Sequence, residues 1–187
     1  MNYLHYTKSL INQYNHQDII HLFQSTFTQS EGEDAGKTIG KLVTDIIEQT
    51  PESDHCIYLA EKEDVLTGAI ILSAMTINEN VNTNAKVYLL SPVAVKTDSQ
   101  GQGIGQALIQ FGFEQIKALG ATHVMTYGDP AFYGKVGFEP VTEAQFKAPQ
   151  ALSFPHGWIG RSLVGDDFDL MVTGSGCISA LNHAEYW

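Results

Sequence analysis

Positive charge is scarce in this chain. Its 187 residues hold 10 Lys+Arg against 21 Asp+Glu, for a formal net charge of -11. A nucleic-acid binder needs a basic patch that releases counterions from phosphate. None is visible, so nucleic acid is not an expected partner. The excess of acid fits a solvated surface that aids solubility. Cysteine is nearly absent: Cys56 and Cys177 are the only two, too few for a disulfide framework. Neither has an evident activating partner, so both are expected to be inert thiols. The seven histidines show no H-E-x-x-H spacing, and there is no cysteine pair two apart, so no metal is expected. Long apolar runs are missing as well. None approaches the roughly 18 residues of a membrane span, which removes the membrane as an expected partner. The first residues, MNYLHYTKSL, lack the basic segment and apolar core of a signal peptide. Together these absences predict a cytoplasmic protein.

A hydrophobic fraction of 43% and a charged fraction of 17% describe a globular chain. The length suits one domain with a real core, so residues 1–187 are read as a single domain. A first strand is predicted over Tyr3–Leu10. Asn15 is placed to cap a helix bearing Ile19, Leu22, Phe23 and Phe27. A second helix is predicted from Asp34 to Gln49, with Pro51 just beyond it. His55–Glu61 and Val65–Ile77 are rich in branched residues and predict an antiparallel hairpin. Glu79–Asn84 is polar and predicts a loop. Lys86–Val95 is another apolar run, in which Pro92 marks a bulge or an unpaired edge position. Ile104–Leu119 is a helix closed by Gly120. A short strand at Val124–Tyr127, a short helix at Ala131–Val136 and a strand at Phe138–Val141 follow. Thr142–Asp166 is a long connection without periodicity, and Phe168–Thr173 is a last strand. The order is that of a mixed α/β protein.

The segment DSQGQGIGQAL, from Asp98 to Leu108, joins a strand to a helix. A helix start offers unpaired N–H groups and the positive end of the helix dipole. Gly101, Gly103 and Gly105 remove side chains that would hold an anion away from those donors. That arrangement binds a diphosphate by backbone and needs few lysines. Tight turning and close helix packing account for the same glycines without a ligand. A nucleotide-binding domain for ATP or NAD fits less well, because the spacing is not G-x-G-x-x-G and no Gly-Lys-Ser/Thr follows. Lys96 and Lys135 are the lysines near enough in sequence to reach a phosphate. In TYGDPAFYGKVGFEPV, Thr126 to Val141, Asp129 is a good helix cap and Pro130 suits the first helical position. Tyr133 lies one turn in, after a strand end, where α/β sheets bind ligands.

Taken together, these residues resemble the GNAT superfamily of N-acetyltransferases. The family's phosphate loop is matched by Gln100-Gly101-Gln102-Gly103-Ile104-Gly105, with Gln100 where arginine is common. A later family segment is matched by Ala131, Phe132, Tyr133, Gly137 and Phe138, and Ser91–Val95 matches the strand before the loop. The motif GDPAFYGKVGF resembles a bacterial subgroup of small acetyltransferases. The specific match covers about Lys86 to Val141.

The resemblance implies a central, mostly antiparallel sheet flanked by helices and splayed between its fourth and fifth strands. It implies acetyl-CoA as cosubstrate. The pantetheine arm would lie along Val93, Ala94 and Val95, bonding like an added strand. The diphosphate would sit on the N–H groups of Gln100 to Gln106, with Asp129 and Phe132 bordering the cofactor. A primary amine of an unidentified small-molecule or protein acceptor would attack the thioester directly. A backbone N–H near Val93 would stabilise the oxyanion, and Tyr133 would serve the departing sulfur. An ordinary phenol is a weaker acid than a thiol, so full proton transfer is uphill by roughly 2 kcal/mol.

Some relatives use a glutamate on the central strands as the base, directly or through water, and VYLLSPVAV carries no carboxylate. Glu31, Glu33 and Asp34 lie where the first two helices meet, and Phe154 and Trp158 lie in the long connection. These five are the acceptor candidates. The solvated turn and the satellite core are their alternative readings. The alternative function is a non-catalytic CoA-binding or sensing module. The tail CISALNHAEYW leaves a homodimer open.

Overall fold

The computed structural model describes residues 1–8, 14–78 and 84–187. The far end of the predicted Tyr3–Leu10 strand and nearly all of the predicted Glu79–Asn84 loop lie outside the described residues. The elements are β1 (Asn2–Tyr6), α1 (His16–Glu31), α2 (Glu33–Gln49), β2 (His55–Lys62), β3 (Val65–Ala74), β4 (Thr76–Ile77) and β5 (Val87–Val95). They continue with α3 (Ile104–Ala118), β6 (His123–Tyr127), α4 (Pro130–Tyr133), β7 (Glu139–Pro140), β8 (Trp158–Ser162) and β9 (Ser175–Gly176). The main sheet has the strand order β1-β2-β3-β5-β6-β8-β7, and β4 and β9 form a separate antiparallel pair. Contacts divide the chain into two compact units.

The first unit holds Met1–Leu72 and Pro92–Gly112. Asn15 caps α1 through a full capping box with Asp18, an arrangement worth about 1 kcal/mol. Ile19 and Phe23 of α1 and Val43 and Ile46 of α2 are completely buried. Each such side chain stabilises the fold by roughly 1.5–3 kcal/mol. β1 pairs antiparallel with β2, with Leu4 opposite Leu59. The β2–β3 hairpin turns at Glu63 and Asp64, both at positive φ, as a tight two-residue turn requires. Phe111 of α3 stacks on Tyr3 at 5.3 Å and meets Tyr58 edge-on at 5.6 Å, which seats the first half of α3 on β1 and β2.

The second unit holds Ser73–Ser91 and Phe113–Trp187. β5 and β6 are parallel, in the register Val87↔His123, Tyr88↔Val124 and Leu89↔Met125. That register ends at Leu89, while β5 continues to Val95. β6 pairs antiparallel with β8, and β8 with β7. Pro92 lies in β5 past the end of this register, where a missing N–H costs no bond to β6.

Two strand readings are corrected. Phe168–Thr173 is not a strand; Val172 alone forms an isolated bridge, to Phe146. The alternation is real, because Phe168, Leu170 and Val172 are buried while Asp169 and Met171 are exposed. Side chains take the place of a ladder there: Glu139 accepts from the Phe168 N–H at 2.5 Å, and Gln145 donates to its carbonyl at 2.8 Å. The strand that joins the sheet is β8, inside the connection that showed no periodicity. Trp158, Ile159 and Gly160 are all buried, so no alternation marks it. A Cβ on Gly160 would stand 2.6 Å from the Phe168 ring.

Candidate active site

The candidate residues fall in both units and are described unit by unit. In the first, β5 ends at Val95, and the Lys96 N–H donates to the Thr67 carbonyl at 2.9 Å. A single turn over Thr97–Ser99 leads to Gln100. Gly101 and Gly103 then take φ of +74° and +78°, where a side chain would be strained. A Cβ on either would meet nothing within 4 Å. These glycines therefore serve backbone conformation and leave open space above it. The first helical bond runs from the Ala107 N–H to the Gly103 carbonyl at 3.0 Å. The N–H groups of Ile104, Gly105 and Gln106 precede it and have no partner within the helix. They make a donor cluster at the positive end of α3, suited to an anion.

The side chains of the loop are engaged with its frame. Gln100 donates to the Val95 carbonyl at 2.9 Å, and Gln102 reaches the Asp98 carbonyl at 3.5 Å. The Lys62 ammonium donates to Gln102 Oε1 at 3.3 Å. A cation thus stands at the loop that sequence reasoning missed. Lys62 is the last residue of β2, and only the strand pairing brings it to the loop. Lys96 lines a cavity of about 600 Å³ with Thr97, Asp98 and the α1 residues His21, Ser25 and Gln29. A smaller cavity of about 330 Å³ shares His21, Ser25 and Lys96 and adds Tyr14, Asp18 and Asp64. Tyr14 donates to the buried carboxylate of Glu61 at 2.9 Å, and Asn2 donates to it at 3.1 Å.

Glu31 is the last residue of α1, and Glu33 and Asp34 open α2; all three are exposed. Lys37 lies 3.6 Å from Glu33 and 3.9 Å from Asp34. Neither of the two cavities above includes them.

In the second unit, Asp129 Oδ1 accepts from the Ala131 N–H at 2.9 Å and starts α4, with Pro130 in its first turn. Tyr133 ends that helix. Its ring is held edge-on between Phe132 at 4.9 Å and Phe138 at 5.6 Å. A Cβ on Gly128 would strike the Tyr133 ring at 2.6 Å, so the glycine makes room for it. Part of Tyr133 stays accessible, but its hydroxyl end is deeply enclosed. Burial pushes the phenol up to about 12; a hydrogen bond with Thr126 pulls the other way, and the Asp129 charge adds to the rise. The cost of full proton transfer to a thiolate, near 8.5, grows from roughly 2 to roughly 5 kcal/mol.

Phe154 is 60% exposed, and its N–H donates to the Tyr127 hydroxyl at 2.5 Å. Trp158 is 1% exposed and donates its Nε1 to the Phe146 carbonyl at 2.9 Å. It is core, so Phe154 alone of the two aromatics presents a surface. Lys135 is exposed next to the α4 turn. Burial pushes the Cys177 thiol up to about 11, which keeps it protonated at neutral pH. Among the described residues no cluster of three His, Cys, Asp or Glu is placed to hold a metal, and no helix is long and apolar enough to cross a membrane.

Residues 53–140 match the model of the acetyltransferase (GNAT) domain. The uncharacterized N-acetyltransferase YjhQ of Escherichia coli K12 is 27% identical over 132 residues, 69% of this chain and 72% of its own. The uncharacterized N-acetyltransferase YhbS of the same organism is 38% identical over 50 residues, 27% of this chain and 30% of its own. The solved structure of Escherichia coli YhbS in complex with CoA superposes with a TM-score of 0.74 at 22% identity, covering 97% of this chain and 93% of that one. A GNAT family acetyltransferase from Brucella melitensis in complex with acetyl-CoA gives 0.66 at 20% identity, covering 96% and 98%.

Proposed function

Over residues 53–140 the chain belongs to the GNAT acetyltransferases, and from that premise we propose that it is an acetyl-CoA-dependent N-acetyltransferase acting on a primary amine. The observation that carries the reading is the loop at the start of α3. Gly101 and Gly103 are at positive φ with open space above them, ahead of N–H groups that no helical bond uses. A diphosphate fits those donors, and Lys62 adds a cation at Gln102. The CoA and acetyl-CoA bound to the YhbS and Brucella proteins are consistent with this ligand.

In this reading the pantetheine arm bonds the backbone of Val93 to Val95, past the end of the β5–β6 register. The acceptor amine attacks the thioester carbon in its neutral form, and the proton that its nitrogen then sheds passes to water. The C–S bond breaks with its electron pair on sulfur, and Tyr133 donates a hydrogen bond to that sulfur. With its phenol near 12, Tyr133 acts as a donor whose bond strengthens as charge develops, not as an acid that transfers its proton in advance. Residues 1–187 act as one acyltransferase domain.

A second reading, a CoA-binding module without catalysis, draws on β5, which carries no carboxylate, and on the solvated, Lys37-paired Glu33 and Asp34. Thermal unfolding with acetyl-CoA, CoA, NAD and ATP in parallel tests the ligand. A ligand at 100 times its Kd adds about 2.7 kcal/mol of stability, a shift of a few degrees. Selective stabilisation by acetyl-CoA and CoA is expected. No response, in protein free of bound CoA, overturns the reading. Thiol release from acetyl-CoA with a panel of amines then separates the enzyme from the module.

A further inference from the structure

His21, Ser25 and Gln29 stand four residues apart along α1, so they share one face of that helix. With Lys96, Thr97 and Asp98 of the turn after β5 they line the cavity of about 600 Å³, a size usual for small-molecule sites. Thr26 lines it as well, so every lining side chain is polar. Thr26 is 7% exposed, and its Oγ1 is buried without a partner among the described residues. The smaller cavity joins this one at His21, Ser25 and Lys96.

Acids and cation differ here in how far they are engaged. Asp18 Oδ2 accepts from the Asn15 N–H at 2.8 Å, and Asp98 Oδ1 accepts from the Ser99 hydroxyl at 2.9 Å. The Lys96 ammonium has no carboxylate within 4 Å among the described residues. The side chains of His21, Gln29 and Thr97 have no hydrogen-bond partner among them either. An ammonium, an imidazole, an amide and a hydroxyl thus converge on one space with bonds left to give. The backbone of Lys96 is fixed: its N–H donates to Thr67 at 2.9 Å, and its carbonyl accepts from Ser99 at 2.8 Å. Lys96 directly follows Val93 to Val95, where the pantetheine arm is read to lie. A strand advances about 3.3 Å per residue, so Lys96 stands roughly 10 Å from Val93, the thioester end.

We propose that this cavity holds the body of the acceptor, and that the acceptor is a polar primary amine carrying an anionic group, a carboxylate or a phosphate, which Lys96 grips. The inference rests on the acetyltransferase reading of the chain. The net charge of -11 works against anionic ligands in general, so a preference for an anionic amine has to come from local groups. Lys96 supplies the charge-assisted bond. His21, Gln29 and Thr97 suit hydroxyl or amide groups on the rest of the acceptor.

Three amines of matched chain length test this: 6-aminohexanol, 6-aminohexanoate and 6-aminohexyl phosphate. They share one terminal amine and differ at the far end. With acetyl-CoA saturating, kcat/KM is expected to be at least about tenfold higher for one or both anions than for the alcohol. Which anion is favoured distinguishes carboxylate from phosphate. Lys96→Gln is expected to remove that advantage through KM, with 6-aminohexanol within about twofold and the Kd for CoA unchanged. Lys96→Arg should keep most of it. An alcohol used as well as both anions overturns the inference. So does a Lys96→Gln variant that lowers all three alike or weakens CoA binding, because Lys96 then serves the cofactor. Calorimetry of the two anions with the CoA-bound protein is read separately. Anion binding that Lys96→Gln abolishes, without turnover of any amine, upholds the anion site and overturns the acetyltransferase reading. Turnover of 6-aminohexanol without anion binding does the reverse.

Discussion

The glycine loop and the Tyr133 segment both lie where a strand gives way to a helix, yet they are made of opposite materials. The loop is bare backbone. Gly101 and Gly103 are exposed, have no heavy atom near an added Cβ, and matter for their positive φ. Tyr133 is a large side chain whose hydroxyl end is enclosed. Its behaviour is set by Thr126, Gly128, Phe138 and Asp129. A site made of backbone is defined by local conformation and tolerates distant change. A site made of one side chain with an enclosed hydroxyl depends on whatever encloses it.

The comparison is broken most directly at Tyr133. Tyr133→Phe is expected to lower kcat by about 10²-fold or more while the Kd for CoA, measured by calorimetry, stays within about threefold. Gly103→Val should do the reverse. A branched residue at φ +78° costs about 1–3 kcal/mol of strain and crowds the donors, so CoA binding should weaken by about tenfold or more. Equal losses of affinity in the two variants would dissolve the distinction. Gly128→Ala sharpens it. Its Cβ would press on the Tyr133 ring, and kcat should fall by about tenfold with CoA binding intact.

A smaller effect separates the units by pH. Burial holds His55 in the first unit and His123 in the second below the ordinary histidine value. The folded state then favours the neutral ring. Below about pH 6.5 the unfolded chain binds more protons, so stability is present above that pH and is lost as pH falls. Melting temperature should drop on acidification, and His55→Gln and His123→Gln should each flatten part of the slope. The variant that flattens it more identifies the acid-sensitive unit. The smallest change is expected from Glu33→Gln with Asp34→Asn. Exposed pairs with Lys37 are worth less than about 1 kcal/mol, and amine turnover should shift by less than about twofold. A larger loss in turnover would make this turn part of the acceptor site.

Local signals in the sequence were sufficient where local physics decides. Asn15, Pro51, Gly120 and the Asp129-Pro130 pair marked helix ends that the structure has. The loop was legible because glycine spacing writes backbone conformation directly. β8 was not, because a strand buried on both faces shows no alternation. Phe168–Thr173 alternates but finds its partners in Glu139 and Gln145 rather than in a ladder. Trp158 in sequence has the look of a pocket aromatic; its indole bond to Phe146 depends on a segment twelve residues away. Lys62 was invisible because it meets the loop across strand pairings that join residues far apart in the chain, at Gln102.

The division of the chain bears on how such a protein can be recombined. Each unit is assembled from two separate stretches, and the chain passes from one unit to the other after Leu72, after Ser91 and after Gly112. All three crossings fall inside regular elements, β3, β5 and α3, with none in a linker. No single cut in the gene releases either unit as a cassette. A domain shuffle between relatives would have to splice through a strand or a helix each time. Loops outside those three elements are the places where insertions and exchanges can be made without dividing a unit.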